Sequence, residues 1–506
     1  MMDPDRLFPA DPATRAIARE LYAEVRGLPL ICPHGHVDPA LLADDAPQPD
    51  PAALFVAPDH YLTRMLYSQG VPPQQLGVPD RDGHVQVGPR EAWRTFCEHW
   101  YLFRGTPSRL WLEQSLAEIF GVTERLGPQT ADAVYDELTA RIAEPAYRPR
   151  ALLRRFGIEV LATTDSPTDS LEHHARLAAD GPASPEGRPP GTHRDHRLGE
   201  TPSGGPAAPV NGPRARIIPT FRPDPVTDPE RPGWAAALGR LGELTGTDTG
   251  SYTGYLDALA RRREDFRRAG ATATDHGHPT ALTADLDPAD AARLYDRLLR
   301  DAGKDGPDTG DAELFRAQML TESARMSVDD GLVMQLHPGA VRNHNRYLYA
   351  AFGPDSGGDI PAATDYVRAL RPLLDKFGDD PRLRLVLFTL DESAYSRELA
   401  PLAGVYPAVY LGPAWWFYDS PEGMRRYREL TTETAGFYNT VGFNDDTRAF
   451  PSIPVRHDAA RRVDCGFLAR LVAEQRLPAD EAAEVARDLA YRLPKRAYRL
   501  DEGGTR

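Results

Sequence analysis

Two histidines, His34 and His36, stand one residue apart at the end of a short apolar segment, residues 28–37. Alternate residues of a β-strand point to the same side, so both imidazoles would face the same way. Neutral imidazole is a good ligand for a divalent metal ion, and the intervening Gly35 lets the backbone approach closely. Chance and packing also produce such pairs, so the two histidines alone are only a candidate for part of a metal site.

A third candidate ligand lies near the other end of the sequence, where Asp445 and Asp446 stand side by side. Adjacent strand residues point to opposite sides, so only one of these acids can face a shared site. In a closed barrel the last strand neighbours the first, which would bring a carboxylate beside His34 and His36. We therefore expect Asp446 to complete the metal site. The alternative is that one of the two acids caps the following helix or turn.

Eight short apolar segments, separated by long amphipathic stretches, could position these residues. They cover residues 28–37, 158–165, 216–222, 271–276, 332–337, 383–390, 408–411 and 440–446. Such alternation is typical of strands and helices that follow each other in an α/β fold. Most of the segments end in polar residues, and in a (β/α)8 barrel all the strands open onto one face. We predict a (β/α)8 TIM-type barrel of the amidohydrolase type, although periodicity alone also allows a doubly wound sheet.

The spacing of the segments predicts the domain organisation. We expect an N-terminal segment with the first barrel strand over residues 1–37, a mainly helical insertion near the barrel mouth over 38–157, and the remaining barrel with C-terminal helices over 158–506. Residues 180–213 are rich in Gly, Pro, Ala and Ser, which is typical of a flexible surface loop. Its histidines, His193 and His196, are poor candidates for a metal site because a disordered loop does not preorganise ligands.

The composition excludes several classes of protein. The chain has 506 residues, 41% of them hydrophobic, and contains no apolar run near the ~20 residues that a membrane span needs. Its formal charge of −15 disfavours nucleic acid and anionic membranes as partners. Three cysteines without CxxC spacing, and an N-terminus that lacks a basic region followed by an apolar one, favour the cytoplasm. A homo-oligomer stays open.

Eight blocks of sequence together resemble one family. They are Pro33-His34-Gly35-His36, Asp59-His60-Tyr61-Leu62-Thr63-Arg64, Thr163-Thr164-Asp165-Ser166-Pro167, Pro219-Thr220-Phe221-Arg222-Pro223-Asp224, Thr274-Asp275-His276-Gly277, the ten residues from Met334 to Asn343, Trp415-Trp416-Phe417 and Asp446-Thr447-Arg448. In this order they resemble the uronate isomerase (glucuronate isomerase) family of the amidohydrolase superfamily. The resemblance implies an aldose–ketose isomerase that interconverts D-glucuronate with D-fructuronate, and D-galacturonate with D-tagaturonate.

The resemblance also implies roles for individual residues. His34, His36 and Asp446 resemble the family's metal ligands, usually for one Zn²⁺, and His337 resembles its active-site histidine after the fifth strand. The positions that resemble substrate contacts are Tyr61, Arg64, Arg222 and Arg448. The sequence leaves open whether the metal is essential.

The chemistry of these residue types agrees with an isomerase. Asp446 or His337 could remove the proton from C2 of the sugar, and Tyr61 could relay it. Guanidinium groups suit the C6 carboxylate because they bind it through two hydrogen bonds. Arg222 and Arg448 follow predicted strands, which favours them over Arg64.

Two other functions compete with the isomerase. A metal-dependent hydrolase of the same superfamily, such as a deaminase or lactonase, also uses the HxH pair and the final Asp. Such hydrolases commonly bridge two metals with a lysine on strand four, and residues 271–276 contain none. A barrel that only binds a sugar acid would not need metal ligands, proton-transfer groups and several arginines together.

Overall fold

Parallel strands form the centre of the molecule. The computed structural model describes residues 2–179, 215–302 and 306–501, so the predicted loop 180–213, with His193 and His196, lies outside the described residues. The strands are β1 (Leu30–Cys32), β2 (Ile158–Ala162), β3 (Arg216–Ile218), β4 (Ala273–His276), β5 (Val333–Leu336), β6 (Ala340–Val341), β7 (Ile360–Pro361), β8 (Leu385–Leu387) and β9 (Val409–Leu411). All of them except the β6–β7 hairpin pair in parallel.

The parallel strands follow one another around a barrel. The first group has the order β1-β2-β3 and the second the order β4-β5-β8-β9. Phe221 joins the two groups, because it pairs with Asp165 on one side and with Thr274 on the other. Each strand lies within one of the predicted apolar segments.

The eighth strand position is a single residue, Thr440, which pairs in parallel with Leu411 of β9. A few residues further on, the chain reaches the first strand, where the His36 N–H donates to the Thr447 carbonyl at 3.1 Å. The last and first barrel positions are therefore neighbours. The predicted (β/α)8 barrel is confirmed.

Helices surround the barrel. They are α1 (Pro12–Val25), α2 (Pro39–Asp44), α3 (Pro51–Phe55), α4 (His60–Ser68), α5 (Pro89–Glu98), α6 (Pro107–Gln114), α7 (Ala131–Ala143), α8 (Pro149–Arg155), α9 (Glu172–Ala179), α10 (Asp224–Thr227), α11 (Trp234–Thr245), α12 (Tyr252–Arg268), α13 (Pro288–Asp301), α14 (Thr309–Asp330), α15 (Arg346–Phe352), α16 (Tyr366–Ala369), α17 (Arg371–Phe377), α18 (Ala400–Val405), α19 (Pro421–Ala435), α20 (Ile453–Ala473), α21 (Ala479–Arg487) and α22 (Leu493–Ala497). In the described part of the chain, none is both long and apolar enough to cross a membrane.

The long stretch between β1 and β2 folds as the helices α2 to α8. Their core is aromatic: Trp93, Phe96, Trp100, Phe103 and Phe120 are each at most 2% exposed. The same cluster includes Leu30 and Cys32 of β1, so these helices pack directly on the first barrel strand. The exact domain boundaries stay a prediction.

Helix α4 begins at a fixed point because an acid caps it. The Asp59 carboxylate accepts hydrogen bonds from the N–H groups of Tyr61 and Leu62 at 2.8 and 3.2 Å. Such a cap satisfies backbone donors that the first helical turn leaves free. It sets the direction of the helix that carries Tyr61 and Arg64.

The antiparallel hairpin β6–β7 follows β5 and encloses α15 and residues 353–359. Since it leaves from the C-terminal end of a barrel strand, it lies at the barrel mouth. Its strands have two residues each, which is too short for a recognisable alternation in the sequence.

We expect Gly412→Ala to destabilise the barrel by about 1–3 kcal/mol, because overpacking a filled core forces shifts of this cost. A Cβ at Gly412 would lie 2.7 Å from Cζ of the buried Phe388 ring and closer still to two other ring carbons. Phe388 stacks on His337, with 3.9 Å between the ring centroids, so it has little room to move. The measurement is the thermal unfolding midpoint.

The matched control is Gly239→Ala in α11, where a Cβ would meet no atom within 4 Å. Alanine favours a helix over glycine, so this variant should be at least as stable as the parent. Equal midpoints for the two variants would contradict the proposed crowding at Gly412.

Candidate active site at the barrel mouth

Three side chains converge where the first and last barrel positions meet. The Nε2 atoms of His34 and His36 lie 3.3 and 3.0 Å from Oδ1 of Asp446. Two ligand atoms bound tetrahedrally to one zinc ion are about 3.4 Å apart, given Zn–N and Zn–O bonds of about 2.1 Å. Apart from these two contacts, the buried Oδ1 atom of Asp446 makes no hydrogen bond to any described residue. The donor types and their spacing therefore fit one divalent ion.

The charge of Asp446 follows from its neighbours. Burial alone would raise its pKa, but the imidazoles of His34 and His36 hold the pKa well below its ordinary value. The carboxylate is thus ionised at neutral pH. Burial lowers the pKa of His36, which favours the neutral imidazole that binds a metal.

The neighbouring acid, Asp445, points the other way. Its Oδ2 lies 3.2 Å from Nε2 of His457 on α20, in the fully buried layer behind the barrel. Cys32 of β1 is fully buried and has its Sγ 3.6 Å from the same nitrogen. The two adjacent acids therefore have different surroundings, as the alternation of strand residues predicts.

His337 follows β5 and belongs to a second buried group. Its Nδ1 lies 2.6 Å from Oδ1 of Asp275 at the end of β4, and its ring stacks on His34 with 4.8 Å between centroids. Burial lowers the pKa of His337 and outweighs the opposing effect of Asp275, so the imidazole is neutral. No role was predicted for Asp275 from the sequence, although it lies near the end of a barrel strand.

Arg222 is bound by acids of the protein itself. Its Nη1 lies 3.1 Å from Asp275 Oδ2, and its Nε donates to Asp224 Oδ2 at 2.9 Å. Although burial alone would raise the pKa of Asp275, Arg222 and His337 bring it well below its ordinary value. The structure thus shows Arg222 as the counter-ion of a buried carboxylate beside the site.

Tyr61 reaches the mouth from α4. Its hydroxyl donates to the Trp416 carbonyl at 3.1 Å, and burial raises its pKa well above the ordinary value. The phenol therefore keeps its proton at neutral pH.

His60, which the sequence analysis missed, stacks on Tyr61 and accepts a hydrogen bond from the Trp416 indole N–H at 3.1 Å. Burial, with a smaller effect of Arg448, lowers the pKa of His60 to about 4. Its position in the sequence could have indicated this place, because His60 stands four residues before Arg64 and such residues share one face of a helix.

The two remaining arginines differ in their partners. Arg448 forms an ion pair with Asp355, with Nη2 and Oδ2 at 2.8 Å. Arg64 is half-buried, lies 4.6 Å from the centre of the Phe417 ring, and has no ion pair with any described residue. Arg342 forms an ion pair with Asp359 at 2.8 Å.

A small cavity of about 10 Å³ lies beside Asp355, the ion-pair partner of Arg448. Its lining residues are His60, Arg64, Asp355, Gly357, Asp359, Trp416 and Phe417. By this measure of volume, the cavity has room for about one water molecule.

Comparison with known proteins decides the family. A sequence model described as glucuronate isomerase matches residues 12–193 and 210–498. The chain belongs to the glucuronate isomerase family. The uronate isomerase of Rhizorhabdus wittichii is 58% identical over 500 residues, which cover 99% of this chain and 98% of that protein. The uronate isomerase of Xanthomonas campestris pv. campestris strain B100 is 58% identical over 497 residues, or 98% of each.

Solved structures of the family have the same fold. The crystal structure of glucuronate isomerase from Caulobacter crescentus has a TM-score of 0.91 and 53% identity, and covers 99% of this chain and 97% of that one. Uronate isomerase from Thermotoga maritima has a TM-score of 0.85 and 27% identity, covering 98% and 99%. The resemblance predicted from the sequence is confirmed, and the family membership favours an isomerase over the hydrolase alternative.

We expect His36→Ala to weaken zinc binding by more than about 100-fold, since loss of an outer-shell partner alone typically costs 10–100-fold. The measurement is a titration of metal-free protein with zinc against a chromophoric chelator. The control is His84→Ala, which removes an imidazole from the exposed group Asp80, Asp82 and His84. Equal losses in both variants would contradict the site at the barrel mouth.

Proposed function

We propose that this chain is a uronate isomerase that interconverts D-glucuronate with D-fructuronate, and D-galacturonate with D-tagaturonate. The observation that carries the proposal is the convergence of His34, His36 and Asp446, within 3.3 Å, at a mouth that also holds His337, Tyr61 and arginines. These are the groups that a proton transfer on an acidic sugar needs.

The reaction moves a proton from C2 to C1 and passes through an enediolate whose negative charge must be stabilised. A divalent ion held by His34, His36 and Asp446 would supply Lewis acidity for that charge. We propose zinc, because two imidazoles and one carboxylate are typical ligands for it.

We assign the removal of the C2 proton to Asp446. Its carboxylate is ionised and its side chain is 15% exposed toward the mouth. His337, the alternative base, is 4% exposed, because the rings of His34 and Phe388 stack on it and Trp415 meets it edge-on. His337 is then a substrate contact, held through Nδ1 by Asp275.

Tyr61 suits the role of proton relay. Its hydroxyl stays protonated, and it lies on a helix whose start Asp59 fixes. A hydroxyl that both donates and accepts can pass a proton between neighbouring oxygens of the substrate.

The substrate carboxylate needs a cation that the protein does not already neutralise. Arg64 meets this requirement best, since no described acid pairs with it and it lines the cavity at the mouth. Arg448 can join it when Asp355 gives way, whereas Arg222 already balances Asp224 and Asp275. We therefore propose Arg64 and Arg448 as the carboxylate-binding pair, with Arg222 as support.

Asp446→Asn should lower kcat/KM by at least about 100-fold, because acid–base groups contribute roughly 10²–10⁴ to the rate. The measurement is turnover of D-glucuronate and D-galacturonate, with the ketose detected by an NADH-dependent reductase. Asp82→Asn, in the exposed group, is the control that should keep the parent rate. No ketose from either sugar with zinc-loaded parent protein would favour the hydrolase, and lactones and amides would be assayed next.

Arg64→Met should raise KM for both uronates by about 10- to 100-fold, the cost of losing a hydrogen bond between charged groups. Arg81→Met is the matched control, because Arg81 also lies over an aromatic ring, 4.7 Å from the centre of Tyr349, but does not line the cavity. A KM for Arg64→Met that stays within the range of the control would remove Arg64 from the carboxylate site.

A further inference from the structure

A buried group of three side chains lies directly behind the proposed metal ligands. It consists of Cys32 on β1, Asp445 before Asp446, and His457 on α20, and none of the three is more than 4% exposed. His457 Nε2 is the shared atom, 3.2 Å from Asp445 Oδ2 and 3.6 Å from Cys32 Sγ. A buried carboxylate is costly unless a hydrogen-bond donor compensates it. His457 is that donor for Asp445.

Asp445 is in contact with both halves of the ligand set. It is bonded through the main chain to Asp446, and its Oδ1 would lie 3.5 Å from a Cβ placed on Gly35, between His34 and His36. The carboxylate therefore packs against the segment that carries both histidines.

Asp446 itself has a left-handed backbone conformation, with φ at +39°. Residues with a side chain adopt this conformation at a cost, and it persists where the surroundings hold it. A hydrogen bond on each side of Asp446 holds the chain. His457 donates to the Asp445 carboxylate, and the His36 N–H donates to the Thr447 carbonyl.

His457 is in turn fixed by its own neighbours. Its ring meets Phe443 edge-on, with 5.0 Å between centroids. One turn further along α20, the Arg461 guanidinium donates to the carbonyls of Arg26, Leu28 and Pro29 at 3.2, 3.0 and 2.9 Å, just before β1 begins. Helix α20 thus anchors the start of the first strand and the end of the last barrel segment together.

We propose that His457 is a positioning residue for the metal site: by donating to Asp445 it fixes the backbone that turns Asp446 toward His34 and His36. The proposal rests on the proposed role of these three residues as metal ligands. Helix α20 would then act on the barrel mouth through His457, although none of the three proposed ligands lies on this helix.

The test is the zinc affinity of metal-free protein, measured by competition with a chromophoric chelator. His457→Phe keeps a ring but removes the donor, and it should weaken zinc binding by about 10- to 100-fold, as outer-shell partners of metal sites do. His457→Gln restores a side-chain N–H and should bind zinc within about three-fold of the parent, on the scale of a single neutral hydrogen bond.

Asp464→Asn is the control for lost stability alone. Asp464 lies on the same helix and pairs with the buried Arg428 of α19 at 2.6 and 2.9 Å. This variant should lower the thermal midpoint and leave the zinc affinity unchanged.

Three results would overturn the positioning role. They are a parent-like affinity in His457→Phe, an equal loss in Asp464→Asn, and a second zinc ion in the parent that His457→Phe loses, since the buried group would then be a metal site of its own. The titration needs no turnover, so a parent that binds zinc but isomerises no uronate would refute the proposed function and leave the positioning role standing.

Discussion

The barrel mouth depends on buried carboxylates that each need a specific partner. Asp275 lies between Arg222 and His337, Asp445 faces His457, and Asp446 is shared by His34 and His36. Removing a charge from water costs several kcal/mol, and a close partner offsets that cost only in good geometry. These pairings connect strands from both ends of the sequence, so they fix the mouth as one unit. Histidine supplies most of the partners; burial lowers the pKa of His36, His337 and His457, whereas the charges of Asp275 and Asp446 raise the pKa of His34 despite its burial.

The barrel and the convergence of His34, His36 and Asp446 could be predicted because few physical rules decide them. Barrel strands are covered on both faces and therefore form apolar runs in the sequence, and each parallel strand of the barrel lies inside one of the predicted runs. Closure of a barrel makes the last strand a neighbour of the first, which joins Asp446 to residues more than 400 positions earlier. No comparable rule predicts from the sequence which arginines are free of acidic partners. Arg222 and Arg448 were favoured for their places after strands, yet both pair with acids, whereas Arg64 forms no ion pair within the part of the chain that the structure describes. Ion pairing depends on distances in the folded chain.

The helical insertion contributes to the site itself. Asp59 caps α4, and this helix delivers His60, Tyr61 and Arg64 against Trp416 and Phe417, more than 350 residues further along. No pattern in the sequence places a helix over a particular barrel loop, so this contact was beyond prediction. The same holds for the hairpin β6–β7, whose two-residue strands show no alternation. The chemistry of the mouth comes from the barrel strands, and its enclosure comes from elements added between them.

The ion pair between Arg448 and Asp355 determines how much electrostatic free energy an acidic ligand can gain at this mouth. An acidic ligand that reaches Arg448 replaces one carboxylate by another, so the event is an ion exchange and not the neutralisation of a free charge. The attraction gained from the ligand is largely offset by the attraction lost from Asp355, and the electrostatic part of the binding free energy is small. Binding through Arg448 should therefore depend weakly on salt, although the chain as a whole carries a charge of −15. The ion pair thus leaves Arg448 and Asp355 together neutral before any acidic ligand arrives.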